Sequence, residues 1–148
     1  MDYVDKLSSA VVLDDSVGQL VMAMMMLPQV NFLNVSTGEK KTVAISNNFK
    51  KWKQNFEKDN DEQTIYYIDC TKVDNLNVGL YVNTTFENWS KGIYEPYLHC
   101  FDNRGNILFN LRIKQRLKSI AYDKLHNRLL GTEVNDKLYC YSLNSLCR

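Results

Sequence analysis

His99 and His126 have the widest chemical reach of any side chains in this sequence, yet their settings give them no shared task. His99 sits in an apolar run, YLHCF, and His126 in a turn-like DKLHN. Neither has an H-x-H or H-E-x-x-H companion, and a metal site needs ligands at close spacing. The sequence therefore predicts no metal centre and no cofactor. Ser8, Ser9, Ser119 and Ser142 lack the G-x-S-x-G context of a nucleophile elbow. There is no Gly-rich phosphate loop, and the carboxylate pairs Asp14/Asp15 and Asp59/Asp61 stand where turns favour Asp.

The four cysteines, Cys70, Cys100, Cys140 and Cys147, form no C-x-x-C pair. Three lie in strand-like runs (YYIDC, YLHCF, LYCY) and read as small buried hydrophobes. A Cys70–Cys100 disulfide stays open, since pairing cannot be deduced from spacing.

Aromatic residues are better binding candidates. Trp89 and Tyr94 lie in FENWSKGIYE, an insertion between two strand-like runs. Connections held by a rigid scaffold often carry function, and exposed aromatic rings make good sugar and protein contacts. Trp89, Tyr94 and His99 are the candidate binding residues; the competing expectation is that these aromatics pack over a sheet edge. Arg112, Lys114, Arg116 and Lys118 alternate, which lines four cations along one side of a continuing strand. Such a row suits an acidic ligand, or equally the solvated face of an outermost strand, where Lys and Arg discourage edge pairing. The formal net charge of +1 provides no long-range field, so no nucleic-acid partner is expected. Three N-x-[ST] sequons, at Asn34, Asn83 and Asn88, are read as coincidental.

The elements that position these residues are strands. Nine Tyr and six Phe favour β structure, and only two Pro and six Gly argue against a disordered chain. Strand-like runs occupy Ser9–Asp14, Gln19–Met26, Gln29–Val35, Lys41–Ile45, Thr64–Cys70, Asn77–Thr84, Pro96–Asp102, Asn106–Ile113, Leu117–Tyr122, Arg128–Val134 and Lys137–Leu143. Asp102 to Gly105 reads as a hairpin turn, and Asn135-Asp136 as a two-residue hairpin. The stretch 48–60 breaks the pattern: Phe49, Trp52 and Phe56 share one face of a short amphipathic helix whose other face carries Lys50, Lys51, Lys53 and Lys58. It is either a helix or turn packed on a blade edge, with its lysines in water, or else a lid or a partner-binding helix. The longest apolar run, Leu20 to Leu27, is far short of the roughly 20 residues a membrane helix needs.

The runs repeat roughly every 50 residues, a period suited to four-stranded propeller blades. The sequence predicts an all-β, single-domain β-propeller fragment of about three blades spanning 1–148. Blade 1 covers about 8–46, blade 2 about 63–114 and blade 3 about 116–144, with 2–7 as a closing strand.

Specific residues carry a family resemblance. Phe101, Asp102 and Gly105 match a Phe-Asp-x-x-Gly turn, and Ala121, Asp123, Asn127 and Leu129 approximate an "avD…n.iy" segment, with Leu130 where an aromatic is usual. Tyr66–Tyr81 resembles the preceding blade start. On these residues the chain resembles the C-terminal half of a six-bladed TolB-like β-propeller. The resemblance implies a longer, exported or periplasmic protein. The N-terminus as written has no signal peptide and by itself predicts the cytoplasm.

Three blades cannot close a ring alone, so the sequence predicts a homodimer in which two chains make six blades, each N-terminal strand completing the partner's last blade. Two functions remain open. One is a non-enzymatic binding or scaffold module recognising protein or glycan. The other is a hydrolase- or lyase-type propeller with a polar central pocket, or else a truncated fragment without function.

Overall fold

In a computed structural model the described residues are 8–46 and 51–143. The expected closing strand at 2–7, Phe49, Lys50 and Cys147 lie outside them. The described chain is all-β, with eleven strands in three antiparallel sheets. The first sheet holds β1 (Ser9–Asp14), β2 (Gln19–Met24), β3 (Gln29–Asn34) and β4 (Lys40–Ala44) in sequence order. The second holds β5 (Thr64–Val73), β6 (Leu76–Thr85), β7 (Tyr97–Phe101) and β8 (Ile107–Arg112). The third holds β9 (Leu117–Asp123), β10 (Arg128–Glu133) and β11 (Leu138–Ser142), with β10 in the middle.

Alternation decides which residues meet. Each strand points successive side chains to opposite faces, so each sheet has two faces to fill. Val21, Ala23, Val30 and Phe32 of the first sheet pack on Tyr66, Tyr67 and Phe101 of the second. The second sheet's other face, with Val78, Leu80, Leu98 and Cys100, packs on Leu117, Ile120 and Leu129 of the third. The middle sheet is thus covered on both sides, as in stacked propeller blades. Its first strand, β5, contacts both β1 and β9.

Two glycines make the packing close. A Cβ on Gly79 would stand 2.8 Å from the Tyr67 ring, and one on Gly131 would stand 2.7 Å from Leu117 Cδ1. In both sheets a large side chain on the first strand fills a notch that glycine leaves in the second.

Two polar seams join the first strands. The Lys72 ammonium on β5 lies 2.7 Å from Asp14 Oδ2 on β1. The Ile120 amide on β9 donates to Asp69 Oδ2 on β5 at 2.7 Å, and the Cys70 amide donates to Asp69 Oδ1 at 2.8 Å.

The structure corrects several expectations. The cation row does not form: β8 ends at Arg112 and β9 starts at Leu117, so the four residues fall on two sheets and the bend between them. Arg112 pairs with Glu95 and Lys118 with Asp136. The hairpin near 135 is longer than two residues: it runs over 134–137, with Asp136 alone in the left-handed region at φ 63°. Cys140 is exposed rather than buried, because alternation on β11 turns it away from the packed face. Cys70 joins the cluster facing the first sheet and Cys100 the cluster facing the third, so they lie on opposite faces and form no disulfide with each other.

Candidate functional site

The two ends of the sheets differ in what their connections carry, since both long links fall at one of them. At one end the links 15–18, 35–39, 74–75, 102–106 and 124–127 are tight turns. Asp102 shows how they hold: its Oδ1 accepts from the Arg104 and Asn106 amides, and Gly105 supplies φ 80°. A Cβ at Gly105 would also meet Val43 at 2.9 Å, so the turn presses against the first sheet. Side chains lace this end across sheets: Gln19 Nε2 donates to the Asn103 carbonyl at 2.8 Å, and Lys72 Nζ donates to Asn103 Oδ1 at 2.6 Å.

The opposite end carries the helices. Helix α1 (Trp52–Glu57) lies between β4 and β5, followed by a 3₁₀ turn at Asn60–Glu62. Trp52 and Phe56 meet edge-on at 5.5 Å, and Phe56 packs on the Met26–Ile65–Val82–Tyr94 cluster. The buried residue of α1 is Asn55, whose Nδ2 donates to the Thr64 carbonyl at 2.9 Å while Oδ1 accepts from the Thr64 amide at 2.7 Å. This clamp docks α1 on the start of β5. Helix α2 (Phe86–Ser90) follows β6 directly; Thr85 caps it by accepting from the Asn88 amide at 3.2 Å.

Between α2 and β7 the chain turns back and leaves a groove. The β6–β7 pairing stops at Tyr81 and Tyr97, while β6 continues along β5 to Thr85. A bulge sets both Val82 and Asn83 opposite Tyr66, one residue more than regular pairing, and Asn83 adopts φ 42°. Bulges re-aim side chains. Here the bulge and the splay open a groove of about 250 Å³, lined by Tyr81, Val82, Asn83, Thr84, Tyr94, Glu95 and Tyr97.

The structure places the three candidate residues around this region in different ways. Tyr94 is 8% exposed and lines the groove wall. Its hydroxyl lies 3.0 Å from the Arg116 carbonyl and 2.9 Å from the Leu117 carbonyl, so its one proton is shared with the link into the third sheet. Burial, with Glu133 nearby, raises its pKa to about 12. Trp89 packs on Phe86 at 5.6 Å beside the same cluster, and its buried Nε1 has no hydrogen-bond acceptor among the described residues. His99 is on β7, one strand step behind the groove, and is 5% exposed. Its Nδ1 is 2.8 Å from the Tyr67 hydroxyl, and Tyr81 stacks on its ring. Burial lowers the imidazole pKa to about 4, so the ring is neutral at pH 7.

Sequence reasoning missed Tyr81, Asn83, Thr84 and Tyr97. They read as ordinary alternating strand residues, and only the bulge brings them to one opening. Thr85, a favoured N-cap residue type directly before FENWS, was the available signal for α2. Among the described residues no three His, Cys, Asp or Glu side chains gather to hold a metal ion, and no helix is long and apolar enough to cross a membrane.

No family model matches the chain, and neither does any curated protein. Solved structures do. A member of the DUF4221 family from Bacteroides vulgatus superposes with a TM-score of 0.61 at 10% identity, over 88% of this chain and 41% of that one. A chain of the Mitotic Checkpoint Complex superposes with a TM-score of 0.55 at 13% identity, over 90% of this chain and 37% of that one. The chain therefore spans about two fifths of the length of these neighbours. They have β-propeller-like folds, and at such identities the likeness is one of fold alone: the described chain is a β-propeller fragment.

Proposed function

We propose that this chain is a non-enzymatic binding module, acting as one unit, whose recognition surface is the helix-bearing end of its sheets. The observation that carries this reading is the contrast between the two ends. One is laced shut by Asp102, Asn103, Lys72 and Gln19. The other bears α1, α2 and the groove beside Tyr97. Propeller scaffolds hold such connections rigidly, and rigidly held connections bind. The alternative of a hydrolase or lyase with a central pocket draws less support, since His99 sits on the third strand of its sheet and is already engaged by Tyr67 and Tyr81.

The test compares charge reversals at the two ends. The full chain is screened on arrays of immobilised peptides and oligosaccharides. Lys53→Glu and Lys91→Glu alter the helix-bearing end; Arg104→Glu alters the other. Loss of the retained ligand with the first two alone is the expected result. Loss with Arg104→Glu alone overturns the assignment.

A specific observation also favours self-association. On the first sheet's outer face Val11 and Leu13 are 52% and 56% exposed, in register with Met22 and Leu20. The third sheet's outer face has Ala121, Leu130, Leu138 and Cys140 at its centre, flanked by the Asp123–Arg128 and Ser119–Thr132 pairs. An apolar centre with a polar rim is interface-like. We propose a homodimer in which these two faces meet twice across a two-fold axis, giving a six-bladed ring. Light scattering at micromolar concentration is expected to give twice the monomer mass, and Leu13→Lys to give the monomer. A monodisperse monomer from the unaltered chain would overturn the ring.

A further inference from the structure

We infer that the groove over the β6 bulge is a subsite for one neutral sugar residue of an oligosaccharide. This rests on the binding-module reading and names its ligand class.

The lining chemistry points to such a ligand. Tyr81, Asn83, Thr84 and Tyr97 present three hydroxyls and one amide around the groove, and none of these side chains makes a hydrogen bond to a described residue. Charged side chains beside it are engaged: Lys91 is paired with Glu87, and Glu133 accepts from the Arg116 amide and the Tyr139 hydroxyl. At the opposite end Asn34 accepts from the Ser36 and Thr37 amides and Lys41 donates to the Arg104 carbonyl. The groove thus gathers four uncharged polar side chains that no described residue engages in a hydrogen bond.

Charge narrows the class. Glu95 is the one ionisable carboxylate in the lining, and Arg112 lies 2.5 Å from it. No lining side chain is a cation, so an acidic sugar or a phosphate meets no complementary charge. Tyr81 is already stacked on His99 and Tyr94 is buried, so Tyr97 is the lining ring that offers flat apolar surface to the C–H face of a sugar while its hydroxyl reaches the sugar's oxygens. The volume of about 250 Å³ is below the roughly 300 to 1,000 Å³ of a drug-sized pocket, which suits a single ring of a longer chain lying across the sheet end.

The strained residue supports the assignment. Asn83 holds φ 42°, a conformation glycine adopts without cost. The position keeps an amide where glycine would be easier for the backbone, and that amide is exposed at the groove mouth. Strain of this kind marks binding sites when the surrounding structure maintains it.

The probes are cellotriose and N,N′,N″-triacetylchitotriose as neutral arms, a sialylated trisaccharide as the acidic arm, and a peptide array as the competing class. All are offered to the full chain and to Asn83→Gly, Tyr97→Phe and Arg104→Ala. Asn83→Gly relieves the backbone while deleting the amide, and Tyr97→Phe deletes only a hydroxyl, so both keep the fold. Binding of a neutral trisaccharide, weakened about three- to tenfold by each of these two and unchanged by Arg104→Ala at the opposite end, is the expected result. Preference for the sialylated arm, or neutral binding untouched by either variant, overturns the subsite. Peptide binding that falls with Asn83→Gly overturns the sugar class while leaving the module reading intact. Absence of any bound probe overturns both.

Discussion

Tyr81 lies nearly flat on His99, with ring centroids 4.3 Å apart and planes 26° from parallel. His99 also faces Tyr67 edge-on and meets Phe101, so protonation would place a charge inside an aromatic shell. With a folded pKa of about 4 against an ordinary 6.5, the unfolded chain binds this proton first as pH falls. Stability is therefore full above about pH 6.5, declines as pH drops towards 4, and levels off below it; the total loss is up to about 3 kcal/mol. Urea midpoints across this range are expected to show the slope in the unaltered chain and to lose it in His99→Phe.

A lower pH window belongs to Asp14. The Lys72 ammonium, then the Ser16 hydroxyl, holds its carboxyl at about 2. Its contribution is complete above the ordinary carboxylate range and is lost as pH falls from there towards 2. Asp14→Asn is expected to cost about 2 kcal/mol at pH 7 in chemical denaturation and almost nothing at pH 2. An equal cost at both values would show that the residue acts by packing and not by charge.

The other seam predicts a stability loss of similar size. Asp69 accepts two backbone amides from two different sheets, and burial pushes its carboxyl pKa up. Asp69→Ala leaves both amides without their acceptor and is expected to destabilise by about 2 kcal/mol. Lys118→Ala removes an exposed pair and serves as the comparison, with its midpoint unchanged.

Filling either glycine notch is expected to strain the sheet that holds it. Gly79→Ala drives a methyl into the Tyr67 ring, and Gly131→Ala drives one into Leu117. Each is expected to cost about 1–3 kcal/mol. The pairs Gly79→Ala with Tyr67→Leu and Gly131→Ala with Leu117→Val are expected to recover part of this, as thermal denaturation will show.

Thiol accessibility distinguishes the cysteines. In a Cys147→Ser, Leu13→Lys background, which keeps the chain monomeric, Cys140 is expected to react with a disulfide reagent in seconds. Cys100 is 3% exposed, and burial raises the Cys70 thiol pKa to about 12, so both are expected to react only as the chain unfolds. Two fast thiols in the folded protein would contradict the packing.

Sequence period made the strands legible. Alternating runs such as Ser9–Asp14 and Arg128–Glu133 fold as expected because one face of each is buried and a period of two admits one register. Turn chemistry at Asp102–Gly105 was local and therefore also visible. The groove was not. Asn83 reaches it only because one inserted residue shifts the phase of β6, and a bulge leaves no mark on a pattern of apolar and polar residues. The two seams were hidden for another reason: Asp69 and Ile120 are remote in sequence, and an aspartate in a strand looks the same whether it meets water or a distant amide. Asn55 was overlooked because helical spacing draws attention to Trp52 and Phe56, while the residue that ties the helix down is polar.

The seams also set an order of opening. Both pin neighbouring sheets at their first strands, while Ile107 and Leu108 on the last strand of the middle sheet are half exposed. Fluctuations will therefore begin at the rim and die out towards β5. Amide exchange is expected to be fastest in β4 and β8 and slowest in β5, so the molecule behaves as a fan with a stiff hinge line and loosely held outer ribs.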